Sequence, residues 1–306
     1  MRICSFLPSA TEILCALGLA EELVGVTYEC DYPAEVRSKA VVVHTRLNQQ
    51  GASPRHVDAQ VREFVARGES LYQVDDEALR RIQPDLIFTQ DLCHVCAAST
   101  DDLPSVLAKL PRPPRVVTLA PRNLAGVWKD IQTVGGATGR ERQAETLVAQ
   151  LAARVERVRA AVASAKRPRV LALEWLDPPF LPGHWVPEMI AIAGGEPVGC
   201  RAGEPSRRVD WAELLHTRPE VILLMPCGCS LKDTVEQARS VRWPEGWHRL
   251  EAVRAGRVWA LDANSYFARP GPRLADGVEI LAAILHPSLA PVPLPGGAAQ
   301  RLFEEG

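Results

Sequence analysis

The sequence predicts an α/β fold of two pseudo-equivalent α/β lobes joined by one long rigid helix, with a ligand cleft between the lobes. Three observations predict it. Short apolar runs alternate with helical patterns in both halves of the chain. A segment of the first half recurs in the second. Between the halves lies a long Ala/Arg/Glu/Val stretch with apolar residues at helical spacing. At 306 residues the chain can bury two such cores without disulfide support.

Strands are expected at 3–6, 23–26, 41–43, 86–89 and 116–119, each a mostly apolar run of strand length. A helix over 9–17 follows the first strand directly. Residues 121–138 read as one helix ending at Gly135-Gly136, and 140–166 as the long connecting helix, about 40 Å at ~1.5 Å per residue. After Pro168 the alternation resumes, with strands at 170–175, 221–225 and 258–261 and helices at 186–193 and 274–285. The expected division is 1–138 for the N-terminal α/β lobe, 139–167 for the interlobe helix, 168–290 for the C-terminal α/β lobe and 291–306 for a tail.

The repeat relates VDDEALRRIQPDLIFTQDLC, from Val74, to VDWAELLHTRPEVILLMPCGC, from Val209, with Pro84 and Pro219 separated by the same 135 residues. Each copy reads as a short helix, a Pro-acid turn, a buried strand and a loop with cysteines. A weaker echo relates PSATEILCALGL, carrying Glu12, to PGHWVPEMIAIAGG, carrying Glu188; glycine closes both helices. Two copies of one α/β unit present loops at the carboxyl ends of their strands, where such folds bind ligands.

Acid and base are mixed along the chain at a formal net charge of −2, with no basic stripe, which argues against nucleic acid as a partner. No run approaches the ~18 apolar residues of a spanning helix, so no membrane insertion is expected. The first residues lack the features of a secretory signal, and a cytoplasmic location is expected for the chain as it stands; the alternative is an extracytoplasmic protein whose start lies upstream. The eight cysteines are accordingly read as thiols.

The loops past the strands collect an unusual set of side chains. Only 6% of the chain is aromatic, yet EWLDPPFLPGHW alone holds Trp175, Phe180 and Trp185. Tyr32, Trp211, Tyr266 and Phe267 fall at other rims, suiting a bulky, planar, partly apolar small-molecule ligand. Asp31, Gln90 and Asp91 offer hydrogen bonds to it, and His94 and His184 a metal ligand or polar partner. Cys93 and Cys96 in CHVC and Cys227 and Cys229 in PCGC could supply four thiolates to zinc if their loops meet. Nucleophile-elbow, phosphate-loop, zincin and dinucleotide-binding motifs are all missing, and no catalytic residue is assigned.

These residues resemble the class III periplasmic binding proteins, which deliver corrinoids, haem and ferric siderophores to ABC importers. The chain is most similar to the cobalamin-binding member, over about residues 2–287. The resemblance is carried by PSATEILCALGLAEELVGVT, CDYP at 30–33, IQPDLIFTQ at 82–90, the long helix, LEWLDPPF at 173–180 and VDWAELLHTRPEVILL at 209–224. It implies a non-enzymatic protein that holds a cobalamin-like corrinoid or related metal tetrapyrrole, with an ABC permease as partner. Tyr32, Phe180, Trp211 and the Tyr266-Phe267 pair inherit the ring-contacting role, and Gln90 stands where the cobalamin binder carries an aromatic. The cysteine loops resemble a signal-less, cysteine-rich branch of the family. Two rival readings stay open: a cytoplasmic zinc, cobalt or iron carrier or sensor using Cys30, Cys93, Cys96, Cys227 and Cys229, and a cysteine-dependent enzyme acting on a corrinoid or thiol compound.

Overall fold

The computed structural model describes residues 1–49, 51–91, 107–108 and 110–303. The chain forms two compact units. One comprises Met1–Pro121 and Ala125–Val148, the other Arg122–Leu124 and Ala149–Gly306.

The first unit is built on a sheet of β1 (Ile3–Ser5), β2 (Leu23–Thr27), β3 (Ala40–Thr45), β4 (Tyr72–Val74), β5 (Leu86–Gln90) and β6 (Arg115–Leu119). The strand order is β4-β3-β2-β1-β5-β6. All neighbours are parallel except β4, which runs antiparallel on the edge. The central β1 and β5 are buried along their whole length, which is why they read as mostly apolar runs without polar alternation. Phe6, Leu79 and Ile87 lie in the core on which helix Asp76–Ile82 packs.

The second unit holds β7 (Arg169–Leu173), β8 (Trp175–Leu176), β9 (Pro179–Leu181), β10 (Glu196–Pro197), β11 (Arg207–Arg208), β12 (Val221–Leu224), β13 (Val258–Leu261) and β14 (Ala299–Leu302). Its main sheet has the order β10-β7-β12-β13-β14, with β14 the antiparallel edge. A small antiparallel sheet, β11-β9-β8, follows the carboxyl end of β7. The tail expected at 291–306 therefore contributes a strand: β14 pairs with the whole of β13.

The sequence repeat is repeated in atomic detail. Helices Asp76–Ile82 and Trp211–His216 each lead to a left-handed residue before proline, Gln83 at φ 49° and Arg218 at φ 47°. The acid after each proline takes the backbone N–H of the residue entering the neighbouring strand. Asp85 Oδ2 accepts from Arg2 at 2.9 Å, and Glu220 Oε2 from Arg169 at 3.0 Å. The arginine side chains bind back to the same turns, Arg2 Nε on the Ile82 carbonyl and Arg169 Nε on the Arg218 carbonyl. The weaker echo holds as well: helices Pro8–Ala16 and Val186–Ile192 both run out at left-handed glycines, Gly18 and Gly194.

Helix Leu124–Thr138 passes straight through Gly135-Gly136, where the sequence suggested an end. A Cβ on Gly135 would sit 2.5 Å from the Ala144 Cβ, so that glycine serves close packing against the next helix. The long helix spans Glu141–Ala161, 21 residues, shorter than the expected 140–166. The division between the two compact units falls inside it, after Val148.

Candidate functional site

In the first unit the parallel strands end on one edge, and the loops after β1, β2 and β5 carry the sequence-derived candidates. Cys30 lies just past β2, buried, its Sγ 3.0 Å from Thr11 Oγ1. Its amide closes a turn on Thr27. Asp31 follows, half-buried, its carbonyl accepting from Arg37 Nε at 3.2 Å. Tyr32, joined to Pro33 by a cis peptide, is 48% exposed, an aromatic ring held out on a short braced loop. At the end of β5, Gln90 is buried and Asp91 exposed, with the Asp91 amide on the Leu119 carbonyl at 3.2 Å. Parallel strands β2 and β5, on either side of β1, thus bring Tyr32, Gln90 and Asp91 to the same edge of the sheet. His94, Cys93 and Cys96 lie outside the described residues.

In the second unit β7, β12 and β13 also end together. The hairpin β8–β9 turns at the cis Asp177-Pro178 bond and pairs Trp175 directly with Phe180. Directly opposed residues of an antiparallel pair share a face, so the two half-buried rings form one aromatic surface. The Trp175 indole N–H is buried and has no acceptor in the protein among the described residues. His184 has φ 52° and is clamped by its backbone, donating to the Glu204 carbonyl at 2.7 Å and accepting from Gly203 at 2.8 Å. Burial first, then the Arg122 charge, push its imidazole below the ordinary histidine range. It is therefore neutral at pH 7 and keeps a nitrogen lone pair for a metal or a hydrogen-bond donor. Tyr266 is half-buried at the end of the short helix Ala263–Tyr266, which Asp262 caps through the Ser265 amide.

Three candidates are placed differently from the sequence expectation. Trp185 is 6% exposed and donates its indole N–H to the Phe267 carbonyl at 2.7 Å; Phe267 itself is 2% exposed. Both rings are spent on packing, where they fix the 184–185 and 266–267 loops. Trp211 stands edge-on to Trp243 and Trp247, at centroid distances of 5.7 and 5.8 Å, in a cluster that also takes in Phe303. Sequence position suggested a rim, but helix Trp211–His216 turns the ring onto the core of its own unit.

Of the four thiols proposed for zinc, Cys227 is exposed and Cys229 buried, its thiol pushed up to about 12 by burial, with Asp233 and Cys227 adding to the rise. Among the described residues no group of three or more His, Cys, Asp or Glu side chains is arranged to hold a metal ion. None of the described helices is long and apolar enough to cross a membrane.

The periplasmic binding protein family model matches residues 3–265. The chain belongs to that family. This periplasmic binding protein is 24% identical over 292 residues to an uncharacterized ABC transporter substrate-binding lipoprotein, YvrC, of Bacillus subtilis, covering 94% of this chain and 80% of the relative. It is 25% identical over 290 residues to the vitamin B12-binding protein of Vibrio cholerae, covering 93% of this chain and 88% of that one. Among solved structures, a periplasmic heme binding protein from Pseudomonas aeruginosa matches with a TM-score of 0.73 at 19% identity, over 98% of this chain and 97% of the other. The vitamin B12 binding protein BtuF of Vibrio cholerae matches with 0.67 at 23%, over 93% and 96%. Such structural likeness establishes the fold, and the family model makes the chain a periplasmic binding protein.

Proposed function

We propose that this periplasmic binding protein holds a corrinoid, or a related metal tetrapyrrole, at carboxyl-edge loops of its sheets, and passes it to an ABC permease. The observation that carries the reading is the Trp175–Phe180 pair, two half-buried flat rings on one face of a hairpin on which a planar ligand can stack. Tyr32 and Tyr266 are the further ring contacts, Asp31, Gln90 and Asp91 the polar ones, and neutral His184 the axial or polar partner. The relatives that bind vitamin B12 and heme support the ligand class.

Titration of the purified chain with cyanocobalamin and, separately, with haem tests the reading by calorimetry and visible absorbance. Saturable one-site binding of either supports it. No heat and no spectral change with both contradict it. Cellular location divides two versions of the proposal. Outside the cytoplasmic membrane the protein delivers to an importer; in the cytoplasm the same site serves a carrier or sensor, and fractionation distinguishes them.

A further inference from the structure

The Cys227 and Cys229 thiols are not used by the ligand site proposed above, and their surroundings suit a different chemistry. Pro226 to Cys229 form a tight turn closed by the Cys229 amide on the Pro226 carbonyl at 3.0 Å. Gly228 sits at its third position with φ 75°, the geometry that demands glycine in a type II turn. Residues two apart lie at most about 7 Å from each other even in an extended chain. A turn shortens that span into the ~4.4–6.8 Å between Cα atoms that a disulfide accepts. Both sulfurs are free thiols in the structure, and each is placed differently. Cys227 is exposed. Cys229 is 9% exposed and receives a hydrogen bond from Gln237 Nε2 at 3.0 Å. An open sulfur beside a shielded one is the arrangement of an attacking and a resolving thiol. The turn is also tied at both ends, the Cys227 amide to the Glu174 carbonyl and the Cys229 carbonyl to the Asn264 amide, each at 2.9 Å, which holds the pair together.

We infer that the Cys227-Gly228-Cys229 turn is a reversible dithiol/disulfide site oxidised by low-molecular-weight disulfides. The Cys227 thiolate attacks one sulfur of an incoming disulfide of the glutathione type, breaking its S–S bond, and one thiolate leaves. Cys229, its proton lost to solvent, attacks the Cys227 sulfur; the Cys227–Cys229 bond forms and the second thiolate departs. The protein has lost two electrons and two protons, and the small disulfide has become two thiols. Because burial holds Cys229 protonated up to about 12, the second step accelerates as pH rises.

Trypsin releases residues 209–232 as one peptide containing these two cysteines and no other, since Arg218 precedes proline. The full-length protein is equilibrated in glutathione buffers of increasing oxidised fraction, alkylated and digested. The expected result is conversion of this peptide from doubly alkylated to unalkylated and lighter by two hydrogens, reversed by reduced glutathione. Cys229→Ser accumulates a glutathione mixed disulfide on Cys227, and Cys227→Ser loses more than tenfold in the rate of modification at Cys229. A peptide that stays doubly alkylated in fully oxidised buffer overturns the inference. So does a wild-type protein that stops at the mixed disulfide, or a Cys227→Ser variant modified at the wild-type rate.

Discussion

The two units agree at the amino edges of their sheets and differ at the carboxyl edges. At the amino edge the turn Gln83-Pro84-Asp85 is matched by Arg218-Pro219-Glu220, down to the backbone N–H that each acid accepts. At the carboxyl edge the first unit carries a compact loop with Tyr32 and a polar strand end at Gln90-Asp91, while the second inserts the β8–β9 hairpin with Trp175 and Phe180. Six of the seven tryptophans belong to the second unit. The duplicated turns thus build the scaffold, and the aromatic contacts proposed here, Tyr32, Trp175, Phe180 and Tyr266, come from segments outside the repeat. The same contrast separates stability effects from ligand effects.

The largest stability effect is expected in the second unit. Trp247 is fully buried, stacked on Trp243 at 4.0 Å, and Trp247→Ala should cost about 3–5 kcal/mol. Hydrogen exchange should show lost protection across β12 and β13 with β1 and β5 unaffected; equal loss in both sheets would break the contrast. Next comes Arg154, whose guanidinium grips the buried Glu279 through Nε at 3.1 Å and Nη2 at 2.5 Å, and also reaches Asp276. Arg154→Met leaves Glu279 with Arg157 alone, at 3.3 Å, and should cost ~3 kcal/mol in urea unfolding.

The paired acids sharpen the comparison further. Glu220 is nearly buried, accepts from Arg169 and Lys166, and is held below the ordinary carboxylate range first by the Arg169 amide. Glu220→Gln should cost about 1–2 kcal/mol at pH 7; Asp85→Asn, at the more open equivalent turn, should cost less. Because the folded state favours ionised Glu220, its contribution is complete above the ordinary carboxylate range. It fades as pH falls through the lowered value, so wild type and Glu220→Gln should converge in acid. Asp130, in the first unit, has the opposite sign. Burial raises its carboxyl to about 7, and Oδ2 has no partner among the described residues. Folding then favours the protonated acid, and stability declines as pH rises from about 4 to 7. Asp130→Asn should remove that decline, giving a variant whose melting temperature exceeds wild type most at pH 8; an unchanged pH profile would contradict the burial argument.

Much of the scaffold was legible because buried parallel strands leave mostly apolar runs and because the 135-residue repeat fixes a helix, a turn and a strand twice over. The expected strand at 258–261 and the helix at 274–285 match β13 and helix Leu274–Leu285. What escaped notice lacks a periodic signal. Two- and three-residue strands such as β8, β9 and β11 are too short for alternation, and β14 lies in a stretch of Pro and Gly. Gly135-Gly136 read as a stop because a glycine that allows close helix packing is indistinguishable, in sequence, from one that ends a helix. At the candidate site, loop position pointed to Tyr32, Gln90 and Asp91, which lie on one sheet edge, but could not tell ring from rivet. Trp185 and Phe267 are fastened to each other, and Trp211 depends on Trp243 and Trp247, more than thirty residues on, which no local pattern announces.

The most direct test of the central claim, that aromatic rings on the carboxyl-edge loops hold a planar ligand, compares Tyr32→Ala with Phe180→Ala by titration with the same corrinoid or haem. Each should weaken binding about tenfold, ~1.4 kcal/mol, with the unfolding midpoint unchanged. Wild-type affinity in both variants would mean that these rings do not touch the ligand, and the account of the site would be wrong.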